Sequence, residues 1–389
     1  MSNTVTLDVL VVYNGSIASS SSDLSPSTIA PFARGTSNSS CNAAYAYLLE
    51  SFASLKLNAG FSSSVDIVGA GSCKSYWTYT NGAWIKNNKR CKTKQIFGKF
   101  SPKNETDFAL RELLFSNPQV RSFNSFPLFK LFFDKQKTYD ALSNYSIPAI
   151  TLSGKSLKSI KNSVNSLKKI IKSHPNPKDF TQEIILKDRF GAGGRDIYKL
   201  KSDDYEGIKA IQGAHPLLSF IIQPLIRFDR GFNYNGKFVS TDIRLIYLKG
   251  KIISCYIRMA KNGDFRCNQH QGGSLVYLKL SAIPKAILKQ SQAIAKILGK
   301  KRALYTLDFL LSNSDNAYLL EGNTGPGLNW DINNPIDQRE AKKLIKKIAQ
   351  EIFSRTQPKP ISKSLLCAPH NSRSKNPFWP RASETLCPA

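Results

Sequence analysis

The segment that most constrains this chain is Glu183-Ile184-Ile185-Leu186-Lys187, an apolar strand that ends in a lysine and runs on into Gly191-Ala192-Gly193-Gly194. A strand fixes where its last side chain stands, and a glycine-rich turn lets backbone N–H groups crowd toward one point. An ammonium and N–H groups converging in this way suit phosphate oxygens. Standing alone, the same pattern also describes an ordinary turn between strands, so its meaning depends on what else the chain supplies.

Three further features supply it. Asp242-Ile243-Arg244 and Ile257-Arg258 fall on opposite arms of a hairpin that turns at Lys249-Gly250, and Asp264-Phe265-Arg266-Cys267-Asn268 follows, with Gly272-Gly273 just beyond. Arginines so placed either face an anionic centre or form an ion-pair network on an exposed sheet. Next, Asp308 and Glu321 sit on facing strands. With a four-residue turn at Ser312 to Asp315, Asp308 lies opposite Leu319 and Glu321 is its diagonal neighbour, with Asn323 continuing the face. Diagonal cross-strand residues stand about 7–8 Å apart, close enough for two carboxylates and an amide oxygen to share a hard cation. Last, Gly325-Pro326-Gly327 permits a sharp turn and close backbone approach, with Asn329-Trp330 available to line a cavity. A donor set of oxygens without cysteine or histidine favours Mg2+, with Mn2+ as the alternative, and argues against a zinc hydrolase.

The rest of the chain frames these features. Its 389 residues suffice for a sizeable core and two or three domains. The expected fold class is mixed α/β (α+β). Leu7 to Tyr13 reads as a buried strand, Gly15 to Ser40 as a Ser-rich loop, Ala43 to Leu57 as a helix and Val65 to Val68 as a second strand. Asn81-Gly82 signals a hairpin between Tyr76–Tyr79 and Ala83–Lys86, and Gln95 to Phe100 adds a strand. The expected organisation is an N-terminal α/β domain over 1–127 and a second unit over 128–218 carrying the glycine loop. A third unit over 219–354 carries the acidic hairpin and a final helix near Gln338 to Phe353. The stretch 355–389, rich in Pro, Ser and Lys, reads as a disordered basic tail.

No run approaches the roughly 20 apolar residues of a membrane helix, and no signal peptide is visible, so a cytoplasmic protein without a membrane partner is expected. The seven cysteines form no CxxC pair, and neither Cys267 nor Cys367, each followed three residues on by a histidine, has the second ligand pair of a zinc site. A net charge of +28 predicts attraction to polyanions. Nucleic acid is possible on charge alone but is not favoured over nucleotides or acidic polypeptides. From Lys155 to Lys172 the apolar residues recur at helical spacing, which makes those lysines a solvated helix face. Lys86, Lys89, Arg90, Lys92 and Lys94 have no such stripe beneath them and are the better docking surface.

Taken in order, Asp134-Lys135, Ile185-Leu186-Lys187 with its glycine loop, Gln223-Pro224-Leu225, Asp242-Ile243-Arg244, Phe265-Arg266-Cys267-Asn268 and Leu320-Glu321-Gly322-Asn323-Thr324-Gly325-Pro326-Gly327 resemble the ATP-grasp superfamily, above all its RimK-like glutamate ligase branch. The resemblance spans about residues 128 to 353. It implies ATP held between two α+β subdomains, with Lys135 and Lys187 on the phosphates and Gly191, Gly193 and Gly194 in a mobile lid. It further implies adenine at the hinge Gln223, Pro224 and Leu225, and Asp242 and Asn268 on the nucleotide. Asp308, Glu321 and Asn323 would hold Mg2+, and Arg258 and Arg266 the transferring phosphoryl group. The family usually has an acidic and an aromatic residue where this chain has Pro224-Leu225; proline keeps the carbonyl and leucine the N–H that adenine needs. The implied activity is a carboxylate–amine ligase acting on an amino acid or an acidic peptide or protein. The alternatives are a small-molecule kinase using the same nucleotide site, or a non-catalytic nucleotide-binding module with a basic surface. Nothing in the sequence fixes the oligomeric state.

Overall fold

A computed structural model describes residues 4–102, 104–261, 264–267, 272–299 and 302–357. The five-residue apolar run Val9–Tyr13 forms a central strand of a six-stranded sheet, buried along Val9 to Val12. It runs parallel to Ala59–Ser63 on one side and Gln95–Lys99 on the other. Continuous apolar character suits a strand covered on both faces, and the helix Cys41–Ser54 packs on this sheet through Tyr45, Leu48 and Phe52. The hairpin Tyr76–Thr80 and Ala83–Asn87 turns at Asn81 and Gly82, both at positive φ. The parallel partner Ala59–Ser63 was not expected, and the strand expected at Val65 to Val68 is met only over Ile67–Gly69, which pairs with Ser72–Cys73 in a separate four-stranded sheet. The Ser-rich loop is anchored too: Phe32 is buried against Tyr13, Tyr45 and Phe61, and Lys86 donates to the Asp23 carbonyl.

Two antiparallel sheets follow. One orders Ile150–Thr151, Phe220–Ile226, Phe180–Asp188 and Ile197–Lys201. Helix Leu157–Ser173 covers it with Ile160, Val164 and Leu167 and leaves Lys158, Lys161, Lys168, Lys169 and Lys172 exposed, as its spacing predicts. The other sheet orders Ser274–Tyr277, Lys251–Met259, Thr241–Leu248, Leu304–Leu311 and Ala317–Asn323. Its interior strand Leu304–Leu311 is buried at every residue, and helix Lys285–Leu298 packs on it through Ile287, Ile294 and Leu298. The last helix, Pro335–Thr356, returns to the N-terminal helix Cys41–Ser54, so residues 1–356 cluster as one compact unit.

The acidic hairpin and the loop after it differ in part from expectation. Asp308 pairs with Glu321 directly, because the turn takes five residues and not four, with Leu311 opposite Ala317, and an irregularity between Asp308 and Phe309 shifts the register by one more. The two carboxylates are therefore nearest cross-strand neighbours, not diagonal ones. Of Asn329-Trp330, Asn329 lines a cavity as expected, whereas Trp330 is buried in the core shared by the first and last helices, with Lys342 over its ring. Asn268 and the tail beyond Gln357 lie outside the described residues.

Candidate functional site

The two antiparallel sheets meet at a cleft lined by Lys135, Lys187, Gly191 to Arg195, Asp242, Arg258 and Glu321. Its floor is the five-stranded sheet. Asp242 and Arg244 alternate onto the same face of Thr241–Leu248 and meet Arg258 from one neighbouring strand and Asp308 from the other. Arg258 grips Asp242 with two nitrogens at 2.7 and 2.8 Å and reaches Asp308 at 2.8 Å. Arg244 holds Asp308 through Nε at 2.6 Å and through Nη2, and comes within 3.7 Å of Glu321. Asp242, Arg258 and Asp308 are buried, the Arg244 side chain keeps 12% of its surface and that of Glu321 24%. Burial pushes the Asp308 carboxyl up, but Arg244 and Arg258 outweigh it and hold the group below the usual carboxylate range. Asp242 goes the other way: burial raises it to about 6 against the pull of Arg258, and the Asp308 charge adds to the rise.

The roof is the four-stranded sheet. Lys187 is 4% exposed at the end of Phe180–Asp188. Burial, followed by the neighbouring charge of Lys135, lowers its pKa to about 7. Lys135 opens the helix Lys135–Leu142, capped by Asp134, whose side chain accepts from the N–H groups of Gln136 and Lys137. Arg189 pins the same carboxylate at 2.6 and 2.7 Å. The Lys135 ammonium donates to the Gly191 carbonyl, so the glycine turn lies over the cleft. Gly193 and Gly194 both take φ of 75°, which only glycine adopts without strain.

Of the hinge residues, Gln223 is buried and lines an adjoining cavity with Ser146, Ile147, Glu321 and Asn323. Pro224 stands opposite Ile184, beyond the reach of the edge strand Ile150–Thr151, and Leu225 packs beside Phe180 and Ile226. Arg266 has its ion pair with Asp264 at 2.9 Å and is not part of the cleft wall. The structure thus brings Lys135, Lys187, the glycine turn, Asp242, Arg258 and Glu321 together, with Asp308 beneath them and Asn323 beside Glu321 at 3.1 Å. Sequence reasoning left Arg244 out of the site, although its spacing of two from Asp242 puts both on one face. It also missed Ser146, whose buried hydroxyl has no protein partner.

No group of three or more His, Cys, Asp or Glu side chains fit to hold a metal occurs among the described residues. A divalent ion here would have two carboxylates and an amide oxygen. That hard, incomplete set fits Mg2+ completing its shell with water and phosphate oxygens.

The RimK-like ATP-grasp domain family matches residues 134–348, more than half of the chain. This chain belongs to that family. A probable alpha-L-glutamate ligase of Legionella pneumophila (strain Corby) is 31% identical over 147 residues, covering 37% of this chain and 43% of that protein. The chain therefore matches less than half the length of that ligase. Among solved structures, D-alanyl-alanine synthetase A of Vibrio cholerae O1 biovar eltor superposes with a TM-score of 0.54 at 15% identity, covering 91% of this chain and 98% of that one. ATP-grasp ligase PsnB, complexed with a phosphomimetic variant of its minimal precursor, Mg and ADP, gives 0.51 at 12% identity, covering 90% and 100%. These likenesses establish the ATP-grasp fold, and no described helix is long and apolar enough to cross a membrane.

Proposed function

We propose that this ATP-grasp chain is an ATP- and Mg2+-dependent carboxylate–amine ligase that joins an amino acid or acidic peptide to an amine. The observation that carries the reading is the convergence of Lys135, Lys187, Arg258, Glu321 and the glycine turn on one cleft between two sheets. ATP lies between the subdomains 128–218 and 219–354, its adenine against the Gln223 to Leu225 segment and its phosphates between Lys135, Lys187 and the turn. Asp308, Glu321 and Asn323 would hold Mg2+, which supplies neutralisation of the terminal phosphates when bound.

The substrate carboxylate attacks the γ-phosphorus as the bond to ADP breaks, which gives an acyl phosphate. The amine then adds to the acyl carbon, the C–O bond to phosphate breaks, and an amide, ADP and phosphate leave. Charge builds on the transferring oxygens, and fixed Lys and Arg side chains stabilise it without reorganising. Arg258 is preoriented by Asp242 for this role, with Arg266 able to approach from its loop. Closure of the glycine turn excludes water, which would otherwise hydrolyse the mixed anhydride. Cavities of about 20 and 50 Å³ on either side of Glu321 are too small for a nucleotide, so the turn must lift for ATP to enter. Purified protein supplied with ATP, Mg2+ and a panel of amino acids and acidic peptides tests the reading: ADP release matched by an amide-containing product supports it, and a product that keeps the phosphate refutes it.

A further inference from the structure

One residue past Asn323 the chain enters the wall of a separate cavity of about 240 Å³, through Thr324 and Gly325. The facing wall comes from the N-terminal region. Lys99 ends the strand Gln95–Lys99, Arg111 stands on the helix Glu105–Leu114, and Cys41 opens the helix Cys41–Ser54. No Asp or Glu lines this cavity, yet it holds two cations, Arg111 buried and Lys99 partly buried. The Lys99 ammonium donates to the Pro326 carbonyl at 2.5 Å. Arg111 is 7% exposed and donates one nitrogen to the Phe100 carbonyl at 3.1 Å, while its buried Nε has no protein partner. Its guanidinium lies 4.2 Å over the Phe129 ring.

Among the described residues neither cation has a carboxylate within ion-pair distance, unlike Arg244 and Arg258 in the cleft. Burying an uncompensated charge is costly, and a site that does so is complemented by a ligand of opposite sign. A guanidinium with a free edge matches the two oxygens of a carboxylate, and an ammonium adds a point charge. The volume is below the roughly 300–1,000 Å³ of pockets for drug-sized molecules and suits a group the size of an amino acid.

We infer that this cavity is the acid-substrate pocket, in which Lys99 and Arg111 hold a carboxylate of an acidic amino acid or of an acidic residue in a peptide. The inference rests on the ligase reading above and adds its substrate class. Because Thr324 and Gly325 follow Asn323 directly, a molecule anchored here lies beside the end of the strand that carries Glu321 and Asn323. The low-dielectric setting agrees: burial lowers Lys99 to about 8 and Arg111 to about 10, and a bound anion would reverse both shifts.

The test is calorimetric binding of L-glutamate, glutarate and tetraglutamate, with L-glutamine as the neutral control, to the full chain in the presence of ADP and Mg2+. The expected result is binding of at least one acidic probe, with glutamine at least tenfold weaker and a loss of at least tenfold in both Lys99→Met and Arg111→Gln. ADP affinity should stay within about twofold in either variant, since a lost carboxylate contact of this kind acts locally. If Arg111→Gln fails to fold, Lys99→Met decides, because it removes a charge that has no carboxylate partner and keeps the side chain's length. Acidic probes that bind Lys99→Met as well as the wild type, glutamine that binds as tightly as glutamate, or a wild type that binds ADP but no acidic probe would each overturn the inference. A wild type that fails to bind ADP with Mg2+ would instead remove the ligase reading beneath it.

Discussion

Asp308 and Glu321 are direct cross-strand partners, and Arg244 serves both, held by two nitrogens on the buried Asp308 and 3.7 Å from the half-buried Glu321. Two carboxylates facing each other repel unless cations intervene. In this fold Arg244 and Arg258 neutralise the deeper acid and leave Glu321 the more accessible one.

That asymmetry separates two substitutions. Asp308→Asn deprives Arg244 and Arg258 of their shared anion inside the protein and is expected to cost about 3 kcal/mol of stability as well as activity. Glu321→Gln is expected to leave the melting temperature nearly unchanged while reducing ATP-dependent turnover by about a hundredfold or more, the scale of losing one charge-stabilising group. Thermal unfolding and ADP-release assays on both variants check this pair; equal destabilisation would contradict it.

Lys187 predicts a proton linkage. Its folded-state pKa of about 7 lies well below the usual 10.5 because of burial, then of Lys135. Between about pH 7 and 10 the free protein holds it mainly neutral, and phosphate bound beside it restores the charge. Nucleotide binding at pH 8.5 should therefore take up a proton, visible as a dependence of the calorimetric enthalpy on buffer ionisation. Lys187→Met should abolish most of that uptake and weaken ATP binding. Proton release on binding would contradict the assignment.

A third expectation concerns the last helix. The carboxylate of Glu351 is fully buried and receives Arg302 at 2.8 Å, Arg355 at 2.8 Å and Lys249 at 3.0 Å. Burial raises its pKa, but Arg355, then Arg302 and Lys249, bring it below its ordinary 4.5. With a depressed folded-state value, its contribution is fully present above about pH 4.5 and is lost as pH falls through the lower folded value. Glu351→Gln should cost about 3 kcal/mol at pH 7, where three cations lose their anion. The difference from wild type should shrink below pH 4, as measured by denaturant unfolding.

Much of this was legible in the sequence. The site strands follow from period-two and continuous apolar runs, and the turns at Asn81-Gly82 and Lys249-Gly250 are signalled by Asn81, Gly82 and Gly250, which accept positive φ. The lysine, the glycine turn and the acidic hairpin stood in family order, which is why their convergence was expected. Register was not legible: a turn one residue longer than expected and an irregularity in the strand opposite Asp308 together moved Glu321 from diagonal to direct, and no residue type signals either. Nor was the second parallel strand, because Ala59–Ser63 is poor in β-branched residues and is held in place by burial of Phe61. The acid pocket was illegible because Cys41, Lys99, Arg111 and Gly325 meet only through tertiary packing.

The acid pocket predicts its own pH profile. The titratable groups lining it with Lys99 are Tyr13, Cys41, Tyr45 and Arg111. Burial raises the first three, Cys41 to about 11, so they stay neutral at physiological pH, and Lys99, lowered to about 8, is the group that changes charge. Affinity for an acidic ligand should fall as pH rises above about 8, and the fall should vanish in Lys99→Met. A flat profile in the wild type from pH 7 to 9.5 would contradict it.

The most direct measurement is the mass of the product. Purified chain incubated with ATP, Mg2+ and mixtures of acidic amino acids or peptides with amines should yield a species heavier than one reactant by the other less one water. One ADP should form per bond, and neither should appear with Glu321→Gln. ADP release with no condensed product from any pair, or condensation that persists in Glu321→Gln, would contradict a cleft built to activate a carboxylate with ATP.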